Sequence, residues 1–222
     1  MEMITSISQA FKHGGFWMWV IFAAQMFSIA IIAERVFALY INRKVDSRKF
    51  IKLVEEDIRR GNLDRAMTKA KNMGDRQPIS QVIIAGSQAA QDMGGREEIQ
   101  AKIDEVLLAE NEILEKRTGF LAMVGNVGTL LGLLGTIVGL IDSFSGVANV
   151  NPVEKAALLS SGISMAMHST AYGLIMAIPA LVMYAVLMNR AHTLAEDLNQ
   201  AAFSVYNLLS FKYESVPARK VR

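Results

Sequence analysis

The sequence predicts an all-α integral membrane protein: three transmembrane helices, with long helices extending into a cytoplasmic helical domain. Three observations predict it. Hydrophobic residues are 52% of the 222 and gather into three long runs. Each run meets the length of about 20 mostly apolar residues that a helix needs to cross the hydrocarbon core. The lysines and arginines collect in the segment between the first two runs and in the tail, the asymmetry expected of a chain oriented across a bilayer.

Residues 1–15 are expected to form a periplasmic N-terminus and residues 16–40 the first span. The run from Phe16 is too long for a signal-peptide core. Glu34 and Arg35 follow it where a small-residue cleavage site would stand, so it reads as a retained anchor. Trp17, Trp19 and Tyr40 fall near its ends, where amphipathic rings favour the interface.

Residues 41–118 read as the cytoplasmic helical domain. Asp46 or Ser47 caps a helix that runs to Arg60 and stops at Gly61. A second helix begins near Asp64 and ends by Gly74; Pro78 starts a third, which closes at Gly94 and Gly95. From Arg96 no breaker precedes the membrane, and Ile99, Ile103, Val106, Leu107, Ile113 and Leu114 form a helical apolar stripe. One unbroken helix from Arg96 to Phe144 is therefore expected, roughly 70 Å long. Its plainest role is a stalk packed against neighbouring helices.

The second span covers residues 119–145, a periplasmic loop 146–155, the third span 156–188 and a cytoplasmic tail 189–222 that frays from Glu214. The side opposite the basic loop holds only Lys12 and Lys155. The positive-inside bias thus puts the N-terminus outside and the loop and tail in the cytoplasm.

Both later spans carry polar residues at helical spacing. In the second, Gly125, Thr129, Gly132, Thr136, Gly139 and Ser143 share a face, with Gly128 and Gly135 at its edge. Close helix packing is the plain reading, and a hydroxyl-dotted lining for an ion path is the sharper one. In the third, Gly162, Ala166, Ser169, Thr170, Gly173 and Ala177 form a small-residue face. Ser160, Ser161, Ser164, His168 and Tyr172 lie nearly opposite. Neither face suits lipid. Pro179 removes one helical hydrogen bond and can kink the span. His168 has two open readings: a proton relay, or a neutral ring bonded to a neighbouring helix.

Other functions find little support. Without cysteine there is no disulfide, thiolate metal site or cysteine nucleophile. His13, His168 and His192 are too dispersed for a histidine metal site, and no Ser/His/Asp constellation appears. No enzyme, cofactor or metal is expected. The basic residues lack interleaved aromatics, so nucleic acid is not expected either. A membrane scaffold that merely stabilises a partner remains the competing class.

"GTLLGLLGTIVGLIDSF" followed by "STAYGLIMAIPALVMY" resembles the paired signature of the TolQ/ExbB/MotA family of ion-driven motor proteins. The "RRGNLDRAMTKA" hairpin and the three-span layout are similar to its TolQ and ExbB branch. The resemblance implies a bacterial inner-membrane motor subunit that turns ion-motive force into work on the outer membrane or envelope. It implies a pentamer around single-span partner helices of the ExbD, TolR or MotB type, whose aspartate carries the ion, with a TonB- or TolA-like protein as a further contact. Thr136 and Thr170 match the family's threonines, and Ser169 and Thr129 join them as expected ion-pathway residues. Protons are the ion implied, with sodium left open by the extra hydroxyl. Met165 stands where many relatives carry glutamate.

Overall fold

In the computed structural model the apolar runs form helices, and no strand occurs among the described residues, which are 15–41, 47–72, 77–92, 95–147 and 150–213. The all-α membrane class holds: three helices are long and apolar enough to cross a bilayer. The expectations for residues 1–14, Asp46, Gly74, Gly94 and the tail from Glu214 lie outside the described residues.

Helix α1 runs Gly15–Val36 and continues into a π-helical segment, Phe37–Ile41. Helix α2, Ser47–Arg60, ends where Gly61 adopts φ 80°. The Gly61 amide bonds the Ile58 carbonyl at 3.0 Å and the Asn62 amide bonds the Asp57 carbonyl at 2.9 Å. Those two bonds satisfy carbonyls that the helix end would otherwise orphan, and the positive φ is why glycine stands there. Helix α3 is Leu63–Asn72 and α4 is Pro78–Gln91, its proline in the first turn where no amide donor is needed. Helix α5 is Arg96–Glu115, with Glu97 and Glu98 complementing the positive end of its dipole.

The unbroken helix expected from Arg96 to Phe144 is not what forms. Helix α5 stops at Glu115, and α6 begins at Thr118 and runs to Gly146. Between them Lys116 is extended at ψ 131° and Arg117 takes φ 62°. A left-handed, non-glycine residue costs about 1–2 kcal/mol. The Arg117 guanidinium donates from one nitrogen to both carboxylate oxygens of Glu34 on α1, at 2.7 and 2.8 Å. Helix α7, Pro152–Tyr213, passes through Pro179 without ending.

The chain divides into two units. The first joins the N-terminal stretch up to Phe37 with Arg117–Met188; the second joins Ala38–Lys116 with Asn189–Arg222. In the first, α1 packs along α6, and Ile21, Val124 and Met176 form a small core with Tyr172 and Leu131 at its edge.

In the second unit, α2 to α5 and the C-terminal part of α7 share one core, including Val54, Ile58, Ile83, Ile103, Val205 and Leu209. Lys69 on α3 pairs with buried Asp57 on α2 at 2.5 Å. On the solvated face of α5, Lys102 hydrogen-bonds Glu105 at 2.9 Å. That bond raises the lysine's pKa and lowers the glutamate's, but full hydration leaves such a pair little weight in stability. The buried apolar residues carry the weight. Ile83 is fully buried. Ile83→Ala is expected to cost about 2–5 kcal/mol, read as a lowered thermal midpoint of the detergent-solubilised protein. An unchanged midpoint would show that this core does not hold the unit.

Candidate functional site

Glycines bring α6 and α7 into backbone contact. A Cβ on Gly173 would lie 2.8 Å from the Gly128 carbonyl oxygen and 2.9 Å from Gly132 Cα. One on Gly132 would lie 3.1 Å from the Ser169 carbonyl oxygen and 3.2 Å from Gly173 Cα. Farther along, Gly125 meets Leu181 and Gly139 meets Ala166, so the two helices run antiparallel. Gly128 faces Met176, Gly162 faces Ser143, and Gly135 sits between Ser169 and Trp17 of α1. This is the small-residue packing that lets membrane helices approach closely.

The approach sets Thr136 and Thr170 side by side, their hydroxyls bonded to each other. Thr136 Oγ1 also donates toward the Ala166 carbonyl at 3.0 Å and the Gly132 carbonyl at 3.2 Å. Thr170 Oγ1 reaches the same Gly132 carbonyl at 3.2 Å. Four oxygens from two helices therefore converge on one spot. Two hydroxyls supply only two protons, so not every one of these contacts is made at once, and hydroxyl lone pairs remain. Both threonines are half-buried, so the cluster sits at the edge of the helix pair.

The other expected pathway residues lie elsewhere. Thr129 is exposed two turns away, and its hydroxyl returns to the Gly125 carbonyl of its own helix at 3.2 Å. Ser169 is only 2% exposed and is packed against Gly135, its hydroxyl 3.5 Å from the Met165 carbonyl. His168 is exposed on the far side of α7. Its Nδ1 lies 2.6 Å from the Ser164 carbonyl, so the ring bonds its own helix rather than a neighbouring one. Pro179 is exposed within α7.

Sequence reasoning missed Gln25. The Tyr172 hydroxyl donates to Gln25 Oε1 at 2.5 Å, tying α7 to α1 beside the small apolar core. The signal was present: an amide in the middle of an apolar run needs a polar partner. Its partner could not be found from periodicity, because the two residues stand on helices far apart in the chain.

No Asp or Glu occurs between Gly119 and Ile141 or between Ala156 and Asn189. Fold and site thus define an α-helical membrane protein in which two apolar helices, brought together at glycines, share a hydroxyl pair and hold no carboxylate near it. The chain belongs to the MotA/TolQ/ExbB proton channel family, whose family model matches residues 74–200. It is 31% identical over 117 residues to the biopolymer transport protein ExbB of Pseudomonas putida, across 53% of this chain and 35% of that protein. It is 30% identical over 125 residues to ExbB of Salmonella typhimurium, across 56% of this chain and 51% of that one. The chain therefore spans about half or less of the length of these curated relatives. The C. jejuni MotAB structure shares the fold with a TM-score of 0.53 at 17% identity, covering 99% of this chain and 94% of the matched one.

Proposed function

We propose that the protein is the proton-conducting subunit of an inner-membrane motor complex that converts ion-motive force into mechanical work for outer-membrane transport or envelope maintenance. One observation carries the reading: the Thr136–Thr170 hydroxyl pair lies in stretches of two apolar helices, residues 119–141 and 156–189, that contain no carboxylate. A hydroxyl can bond a carboxyl group in either protonation state, donating to the anion and accepting from the acid. The titrating group then comes from another chain, in this reading a single-span helix of the ExbD or TolR type inside a pentamer of this protein. A TonB- or TolA-like protein would receive the work. Proton uptake by liposomes holding the protein with such a partner tests the proposal, with a sodium gradient as the control ion. A complex that assembles and passes neither ion would overturn it.

The competing reading is a non-conducting scaffold. It draws on the same cluster, because both hydroxyls already have carbonyl partners within the chain.

The proposed orientation has the N-terminus in the periplasm and residues 41–118 and 189–222 in the cytoplasm, on the strength of the basic residues there. Single cysteines at Ser6, Gln88 and Asn199 check it, the last two being exposed positions. Only the first is expected to react with a reagent confined to the periplasm. Labelling of Gln88→Cys from that side would invert the topology.

A further inference from the structure

Gln25 places an amide in the middle of the apolar helix α1, and Tyr172 of α7 meets it. The tyrosine hydroxyl donates to Gln25 Oε1 at 2.5 Å, and both side chains are half-buried beside the core of Ile21, Val124 and Met176. At 100° per residue Tyr172 lies nearly opposite Thr170 on the helix. Helix α7 is thus held on two sides, by α6 at the hydroxyl pair and by α1 at the tyrosine.

The two attachments constrain different motions. Near the hydroxyls the α6–α7 contact is backbone on backbone: a Cβ on Gly132 would lie 3.2 Å from Gly173 Cα and 3.3 Å from Thr170 Cα. A surface of this kind sets how close the helices come, but it offers no side chain that resists rolling. The nearest one, Met176 against Gly128, is an unbranched thioether that adapts to a shifted neighbour. A roll of α7 by about 20° carries each Cα about 0.8 Å, given a helix radius of about 2.3 Å. The Tyr172 hydroxyl, at the end of a long rigid ring, moves several times as far, enough to break its bond to Gln25. Gln25 is a fixed mark, because α1 packs along α6 and its Glu34 meets Arg117 at the start of α6. The three helices therefore close a triangle in which the tyrosine is the long arm.

We infer that the Gln25–Tyr172 bond is the rotational stop of α7 and that it keeps Thr170 facing Thr136. Both are positioning residues: each acts through Thr170 rather than on the proton. The inference rests on the proton-conducting reading and deepens it, because it names what keeps the hydroxyl pair assembled. A displacement of about 1 Å at a reacting group can cost on the order of a hundredfold in rate. Losing the stop therefore weakens conduction while every group of the pathway is still present.

The chain contains no cysteine, so the pair Thr136→Cys and Thr170→Cys reports this geometry through the rate at which an oxidant joins it within one chain. Adding Tyr172→Phe removes one hydroxyl and leaves the ring in the core. Cross-linking is then expected to slow at least tenfold. Gln25→Leu, which keeps the bulk and removes the acceptor, is expected to match it. The two together are expected to be no slower than either alone, since a single bond is lost. Gln25→Glu, protonated in the apolar span, keeps a carbonyl oxygen in the same place and is expected to restore the rate. An unchanged rate with Tyr172→Phe would overturn the stop, as would additive losses in the double variant. With both threonines present, Tyr172→Phe is expected to lower proton flux at least tenfold while the oligomer still holds its partner. If cross-linking slows and flux holds, the positioning role in conduction is overturned. No flux from the wild-type complex would overturn the proton-conducting reading itself, and the cross-linking rates would still decide the stop.

Discussion

Proton-driven work is expected to fall to background when Thr136 and Thr170 are both replaced by valine, while the oligomer and its partner stay together. Valine keeps nearly the shape of threonine and removes the hydroxyl, so the substitution separates packing from polarity. The packing term is small. The carbonyls of Gly132 and Ala166, which the hydroxyls reach, sit inside helices and have their own backbone donors four residues on. Hydrogen bonds between membrane helices average about 0.6 kcal/mol, so losing the pair does not undo a contact made chiefly by glycine backbones. The functional term is large, because an apolar pocket cannot bond a carboxyl group in either state. Thr136 Oγ1 lies within bonding distance of two carbonyls and the other hydroxyl, so its single variant is expected to be the more severe. Flux and partner retention are measured on the same preparation. If the double variant assembles and conducts normally, the hydroxyls are packing groups and the scaffold reading takes over.

Much of this site was legible because helical period and bilayer thickness are both fixed lengths. Apolar runs gave the spans, and 100° per residue placed Gly132, Thr136 and Gly173 on faces that do meet. Gly61 and Pro78 marked their helix boundaries through the backbone freedom of one and the missing amide of the other. The break at Lys116 and Arg117 was invisible for the same reason. Nothing in an arginine's intrinsic preference announces φ 62°, and the carboxylate its side chain meets is on α1, 83 residues away in sequence. Ser169 shows a second limit. Its type and its neighbour Thr170 suggested the pathway, but one residue is a 100° turn, enough to bury its side chain against Gly135. His168 shows a third, since a bond to its own helix cannot be told from a bond to a neighbour until coordinates choose.

The largest effect on assembly is expected from one methyl group at Gly173. In Gly173→Ala the new Cβ meets the Gly128 carbonyl oxygen at 2.8 Å, Gly132 Cα at 2.9 Å and the Gly132 nitrogen at 3.3 Å. All three are backbone atoms of α6, and backbone inside a helix cannot rotate out of the way as a side chain can. Relief requires the helices to separate, which also pulls apart the Thr136–Thr170 contact one turn away. Overpacking of this kind costs about 1–3 kcal/mol, with the upper end fitting a collision between two backbones. Gly125→Ala offers the contrast, because its nearest neighbours at 2.9 and 3.0 Å are side-chain atoms of Leu181, which can change rotamer. Gly119→Ala is the control, with nothing within 4 Å of the added methyl group. It exchanges glycine for the best helix former and is expected to be neutral or slightly stabilising. The thermal midpoints in mild detergent should therefore fall in the order Gly119→Ala, Gly125→Ala, Gly173→Ala, with ion flux lost in the last. A Gly173→Ala protein that melts with the wild type would mean that α6 and α7 are not held at backbone contact. The hydroxyl pair would then lose the geometry on which its proposed role depends.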